Sequence, residues 1–322
     1  MVNKLVSVVV TTRNRASLVQ RAINSVLNQS YQPIELIVVD DCSNDNTEIA
    51  LGDFSNQIIY LRHKESKGGA AARMTGAKQA KGSYIAFLDD DDEWYPTKIE
   101  KQCEVVKCAT SKCAVITCGA SVIIDGTTFF SYPRMNGPIR TQIFSSVFKT
   151  IPSNHFFQKN LFDEIGGYDL DLPAHNEHDI WMKLARANYE TKCIKETLVI
   201  IREDDRERMM TDVNKRLVSF KMFNKKWRQE VYKWYGYSEG GRLFDNYLST
   251  VYMSNANMVA KLGDLNGARK FSLTALKYLI RTSYNKEGIH RLIQAVYYLL
   301  PKLITQLYGN TKSIFLKSFS QD

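Results

Sequence analysis

A chain of 322 residues with 44% hydrophobic content is long enough for one large domain with a smaller appendage, and its ordinary apolar content allows a sizeable core. The formal charge of +9 is uneven: from Arg206 onward there are 20 Lys/Arg against 8 Asp/Glu, whereas residues 1–205 hold 23 against 26. No apolar run reaches the roughly 18–20 residues a spanning helix needs, and no RRM, zinc-finger or basic-zipper pattern supports nucleic-acid binding.

Met1 leads directly into an apolar strand without a basic leader and cleavage site, which argues against export and makes a cytoplasmic protein the expectation. Cys103, Cys108, Cys113 and Cys118 recur every five residues without zinc-ribbon spacing, so free, partly buried thiols are expected.

In chain order, Leu5 to Thr11 reads as a strand and Ala16 to Asn28 as a helix with Leu18, Ala22 and Val26 on one face. A buried strand from Leu36 to Val39 ends at Asp40-Asp41. A helix near Thr47, a strand over residues 58–61, a helix from Gly69 to Ala80 and a strand from Tyr84 to Leu88 follow. This alternation predicts an α/β fold built on a mostly parallel sheet flanked by helices. Each polar cluster follows a strand's carboxyl end, where open α/β sheets bind ligands.

Pro96 opens a helix to about Cys108, and Val115 to Ile124 is a further strand. The Gly/Pro-interrupted stretch 125–150 reads as loop or lid. Two short helices, Leu161 to Ile165 and Asp179 to Ala187, are separated by the Gly166-Gly167 turn, and Leu198 to Ile201 is a last buried strand. The domain division is therefore 1–205 and a basic helical region 206–322, with a helical hairpin broken at Gly263.

The strongest chemical signal is the run Asp89-Asp90-Asp91-Asp92-Glu93 at the end of a buried strand. Two carboxylates about 4 Å apart repel by roughly 4 kcal/mol at an effective dielectric near 20, so a cation should neutralise them. Mn²⁺ or Mg²⁺ takes carboxylate oxygens together with substrate phosphates. The bland alternative is an exposed acidic loop favoured by the following helix N-terminus. One carboxylate of the Asp40-Asp41 pair and the following residues to Asp45 can accept the imide N–H of a uracil-type base while the others cap the next helix, and capping suffices for Asp45. Lys67-Gly68-Gly69 with Arg73 one turn in is a glycine-to-helix entry suited to anions.

Together these residues resemble glycosyltransferase family 2, the inverting enzymes of GT-A fold. The resemblance rests on Ser7 to Arg15, Val38-Val39-Asp40-Asp41, Gly82 to Asp91, and Gly166-Gly167-Tyr168-Asp169 followed by Asp179-Ile180-Trp181, in the family's order. It implies a nucleotide pocket of Thr11, Arg13, Asp41, Arg73, Asp89 and Asp90, with Asp91 and Asp89 on the metal. The family's Glu-Asp-x-Asp motif is Asn176-Glu177-His178-Asp179 here, which puts the general base on Glu177, with Asp179 as second candidate. Asn154 and His155 are offered as acceptor contacts. Met74 replaces the usual Asn after the helix Arg. The usual histidine after the last strand is absent, with Asp204 as a replacement ligand.

The implied partners are a nucleotide-sugar donor, chiefly a UDP-sugar, and a glycan or lipid-linked acceptor in surface polysaccharide or glycoconjugate synthesis. Leu292, Val296, Leu299, Leu300, Leu303 and Leu307 beside Lys302 suggest peripheral contact with the inner membrane face, with core packing or dimerisation as the alternative. The rival functions are a sugar nucleotidyltransferase, whose glycine-rich loop after the first strand is lacking, and a non-catalytic scaffold.

Overall fold

The computed structural model describes residues 3–144, 151–203 and 212–282, with residues 291, 292, 295, 296, 298 and 299. The chain divides into two compact units, residues 1–210 and 211–322. The first opens as β1 (Val6–Thr12), α1 (Ala16–Leu27), β2 (Ile34–Asp40), α2 (Thr47–Gly52), β3 (Ile59–Arg62), α3 (Gly69–Gln79) and β4 (Tyr84–Asp89). It continues through β5 (Asp92–Trp94), α4 (Lys98–Lys107), β6 (Cys113–Ile124), β7 (Thr127–Ser131), β8 (Gly137–Pro138) and α5 (Ile139–Gln142). A 3-10 turn, Pro152–Asn154, leads into β9 (Phe156–Gln158), α6 (Lys159–Glu164), α7 (Asn176–Arg186) and β10 (Glu190–Arg202).

The strands form one sheet with the path β3-β2-β1-β4-β9-β6-β10-β5, while β7 and β8 pair with β6 and β10 off that path. β1 runs parallel to β2 and β4, β2 to β3, and β10 to β6, so the expected mostly parallel sheet is present. β9 is antiparallel to both β4 and β6. The chain moves outward from β1 to β3 and returns to the other side of β1 at β4. The strand order therefore reverses between β1 and β4, the position where such sheets bind ligands beyond their carboxyl ends. Thr11 lies opposite Asp89 on one side and Val39 on the other, and Thr12 lies opposite Asp40.

All seven residues of β1 are buried because helices cover both faces, which explains its continuous valine run. Val6, Val8 and Val10 join the cluster containing Val19, Ile23 and Val26 of α1. Val9 faces the other layer, where Gly76 of α3 approaches so closely that a Cβ there would lie 2.3 Å from Val9 Cγ1. Only glycine fits that contact.

Three short elements depart from expectation. Asp125 and Gly126 both have positive φ, the requirement of a two-residue hairpin turn, so β6 returns as β7 instead of entering a lid. The end of the acidic run, Asp92 and Glu93, is strand: β5 pairs antiparallel with Val199 to Ile201 of β10. β9 is only three residues long and joins β4 to β6.

The second unit contains α8 (Val213–Tyr235), α9 (Tyr237–Lys261) and α10 (Leu265–Leu279). Asp264 caps α10 by accepting from Gly267 N at 2.8 Å, which makes the hairpin break at Gly263. Among the described residues no helix is long and apolar enough to cross a membrane. Leu300, Leu303 and Leu307 of the proposed amphipathic face, like Asp204, lie outside the described residues. All six cysteines are free.

Candidate active site

β4 delivers Asp89 to the crevice beside β1, and Asp91 and Asp92 follow as the chain turns into β5. Ligand oxygens of Asp89, Asp91 and Asp92 all lie within 4.8 Å of one another. Three carboxylates converging at this distance are a hard-oxygen donor set suited to Mg²⁺ or Mn²⁺. The residues present therefore fit the metal that the acidic motif implies, with Asp92 as an addition to the expected pair.

Asp92 is positioned from behind. Its Oδ2 accepts from Ser153 Oγ at 2.6 Å, and the same oxygen of Ser153 accepts from Asp89 N at 3.1 Å. Trp94 Nε1 donates to Ser153 O at 2.8 Å, so one buried turn fixes both ends of the acidic run. The Lys98 ammonium sits 3.8 Å over the Trp94 ring and donates to Gln102 Oε1. Burial without a carboxylate partner lowers the Lys98 pKa to about 8.

Two arginines face the cluster from the front. Arg15 Nη1 reaches Asp90 Oδ1 at 2.8 Å and Asp91 Oδ2 at 3.0 Å. Burial pushes the Asp90 carboxyl up to about 6 against the opposing pull of Arg15. Arg73 pairs with Asp89 through Nη2 and stands 3.5 Å from Glu177 Oε1 through Nη1, with its guanidinium 5.7 Å from the Tyr168 ring. Burial alone would depress Arg73, but Asp89, Tyr168 and Glu177 hold its pKa above the ordinary arginine value. One guanidinium thus ties an outer residue of the acidic motif to the expected base.

Glu177 and Asp179 sit in the first turn of α7, but their environments separate them. The Glu177 side chain is 31% exposed toward Arg73. Asp179 is 0% exposed, and its carboxylate lies 3.5 Å from Lys183 Nζ, which donates to Gly167 O. The second base candidate is thus buried beside the lysine that holds the glycine turn, while the first faces Arg73.

That turn also explains Met74. Gly167 has φ +54, and a Cβ on it would meet Met74 Sδ at 2.5 Å. The thioether instead accepts from Tyr168 N at 3.2 Å. Met74 thus packs the turn from α3 where the family usually has Asn.

The two acceptor candidates are both buried. Asn154 donates to Cys118 O at 3.2 Å and is 2% exposed. His155 is 0% exposed between the rings of Phe157 and Trp181, and burial lowers its pKa to about 3, leaving a neutral core imidazole. Both belong to the packed turn beneath the acidic run.

At the neighbouring strand end, Asp41 accepts from Lys67 N, Gly68 N, Ser66 Oγ and His63 Nδ1 at 2.7–2.8 Å. Burial would raise its pKa, yet these four donors bring it below the usual carboxylate value. The carboxylate itself occupies the glycine entry expected to hold an anion, and Arg13 joins through Ser66 Oγ at 2.7 Å. Contact between Asp41 and a base would require one of these donors to give way. Thr11 is 9% exposed at the mouth of β1. His63, Arg15, Asp92 and Ser153 are the site residues that motif reading missed. For Arg15 the available signal was charge, a cation in the turn after β1 facing four aspartates across the strand-order reversal.

Exposed aromatic residues rim the same edge. β10 occupies one side of β6 along its length, so β9 and β7 share the other side, which faces β4. Phe156 pairs with both Ala86 and Ile116, so Asp89 and Ala120, the partner of Ser131, lie about 10 and 13 Å further along their strands. Phe129, Phe130 and Tyr132, exposed by 51%, 64% and 42%, stand at or beyond that level.

Residues 7–169 match the sequence profile of glycosyl transferase family 2. This protein belongs to that family. Over 196 residues it is 31% identical to an uncharacterized glycosyltransferase of Rickettsia prowazekii, an alignment covering 57% of this chain and 59% of that protein. Over 99 residues it is 44% identical to an Escherichia coli UDP-Glc:alpha-D-GlcNAc-diphosphoundecaprenol beta-1,3-glucosyltransferase, covering 30% of this chain and 39% of the other. The chain thus spans well under two thirds of these relatives. The crystal structure of S. aureus TarS 1-349 in complex with UDP-GlcNAc superimposes with a TM-score of 0.64 at 14% identity, covering 91% of this chain and 88% of the other, a likeness of fold.

Proposed function

We propose that the protein is an inverting glycosyltransferase that moves a sugar from a UDP-sugar to a hydroxyl of a glycan or lipid-linked acceptor in surface polysaccharide or glycoconjugate synthesis. The observation that carries this reading is the bridge Asp89–Arg73–Glu177, which sets a solvent-reachable carboxylate beside the acidic motif.

Glu177 accepts the proton of the attacking hydroxyl as that oxygen bonds to the anomeric carbon and the nucleoside diphosphate departs. Arg73 holds Glu177 oriented and places positive charge between base and leaving group. Asp91 and Asp89, with Asp92, would hold Mn²⁺ or Mg²⁺, which would supply positive charge to screen the departing diphosphate. Thr11, Arg13 and Asp90 line the nucleotide side, and Asp41 holds the loop of residues 66–68 beside them. The rim of Phe129, Phe130 and Tyr132 replaces Asn154 and His155 as the surface toward the acceptor. The basic second unit, with 18 Lys/Arg against 7 Asp/Glu over residues 211–322, supports peripheral contact with an anionic membrane that carries the acceptor.

The test is hydrolysis of a panel of nucleotide sugars with Mn²⁺, Mg²⁺ or excess chelator. The reading expects metal-dependent release of nucleoside diphosphate from one donor class. Failure to bind or cleave any member with metal present would sink it.

A further inference from the structure

Arg15 occupies the place where metal and diphosphate charge must meet. One nitrogen of its guanidinium is within 3.0 Å of both Asp90 and Asp91. Among the described residues these carboxylates are the side-chain partners it has. Its side chain is 23% exposed, on the turn between β1 and α1, whereas that of Arg73 is 12% exposed and held by Asp89, Glu177 and the Tyr168 ring. Arg15 is therefore the more exposed and less enclosed of the two.

A divalent ion on Asp91 would stand about 4–5 Å from this guanidinium, since metal–oxygen distances are roughly 2 Å. Two cations so close repel strongly in a part-buried site. The repulsion is relieved when a diphosphate lies between them, and a guanidinium matches phosphate oxygens through paired hydrogen bonds.

We infer that Arg15 is a charge gate on the donor site: without nucleotide it neutralises Asp91, with Asp90 beside it, in place of the metal, and it moves onto the diphosphate when metal and nucleotide bind together. The inference rests on the nucleotide-sugar reading above. It makes metal and nucleotide binding strongly cooperative, because each removes the penalty on the other.

The experiment is titration calorimetry of wild type and Arg15→Gln with Mn²⁺ alone, with UDP alone, and with UDP at saturating Mn²⁺. Wild type should bind Mn²⁺ weakly alone and at least about tenfold more tightly with UDP, within the usual range of coupling. Arg15→Gln should bind Mn²⁺ alone several-fold more tightly than wild type and Mn²⁺-UDP more weakly, leaving less than about threefold coupling. If Arg15 merely orients Asp91, the variant will bind Mn²⁺ alone more weakly, and that sign overturns the gate. Unchanged coupling overturns it as well. Should Arg15→Gln fail to fold by circular dichroism, Arg15→Lys decides: the gate expects weak Mn²⁺ binding alone with reduced coupling, and wild-type coupling rejects it. Absence of UDP binding to wild type at saturating Mn²⁺ would reject the functional reading itself, whereas wild-type coupling that survives in the variants rejects only the gate.

Discussion

Two carboxylate turns stand side by side at the carboxyl edge of the sheet, and they have opposite characters. Asp41 after β2 receives four donors from one short stretch of chain, His63 and residues 66–68. Asp89, Asp90 and Asp91 after β4 are faced mainly by two arginine side chains, one of them part-exposed. The first arrangement leaves little to exchange with a ligand. The second holds charge that a metal and a diphosphate can take over. A strand-end aspartate is therefore a site or a staple according to whether its partners are mobile cations or backbone amides.

The comparison can be broken most severely at the base beside the second turn. Glu177→Gln should lower turnover by about 10²–10⁴-fold, the usual worth of a general base, with Mn²⁺-UDP affinity near wild type. Steady-state kinetics with parallel calorimetry would read this, and retained turnover would move the base elsewhere. Asp91→Asn should weaken Mn²⁺-dependent UDP binding by about 100-fold, as expected when a charged ligand leaves a small donor set. Unaltered metal dependence in that variant would remove Asp91 from the metal.

At the first turn the principal loss should be in stability. Asp41→Asn turns an acceptor into a donor against buried amides and should cost about 2 kcal/mol in urea unfolding. The Asp41 pKa is depressed in the fold, so its contribution is present above the unfolded carboxylate value near 4 and is lost as pH falls below it. The variant should accordingly show a flatter acid limb. A variant with full stability and abolished UDP binding would make Asp41 an open ligand after all.

The smallest effect is expected behind the second turn. Lys98 is buried and its pKa is lowered to about 8, so between about pH 8 and 10.5 the unfolded chain binds more protons and stability should rise with pH. Lys98→Met should abolish that slope and raise stability near pH 7 by about 1–2 kcal/mol. Destabilisation instead would mean that the ammonium over Trp94 is needed to hold β5 in place.

The sheet was legible because strands buried on both faces write long apolar runs, as in Val6 to Val10 and Tyr84 to Leu88. Register with the tryptophan-containing helix points to Glu177, which the structure sets beside Arg73. What escaped were elements too short to carry a period. β5 hides inside an acidic run and β9 spans three residues, while the Asp125-Gly126 turn was overlooked amid the glycines and prolines around it. Burial was harder still to read. Asn154 and His155 follow in sequence a stretch read as loop or lid, yet the 3-10 turn buries them beneath the acidic run. Asp179 shares a helix turn with Glu177 but lies about 200° around the axis, which takes it from the cleft into the core.

The claim on which most depends is that Asp89, Asp91 and Asp92 grip a divalent ion that carries the nucleotide diphosphate. Crystals grown with Mn²⁺ and UDP, measured at the manganese absorption edge, test it directly. The account predicts an anomalous peak about 2.2 Å from Asp91 and in contact with diphosphate oxygens. Diphosphate bound there with no anomalous peak at those aspartates, or manganese located elsewhere in the chain, would contradict it.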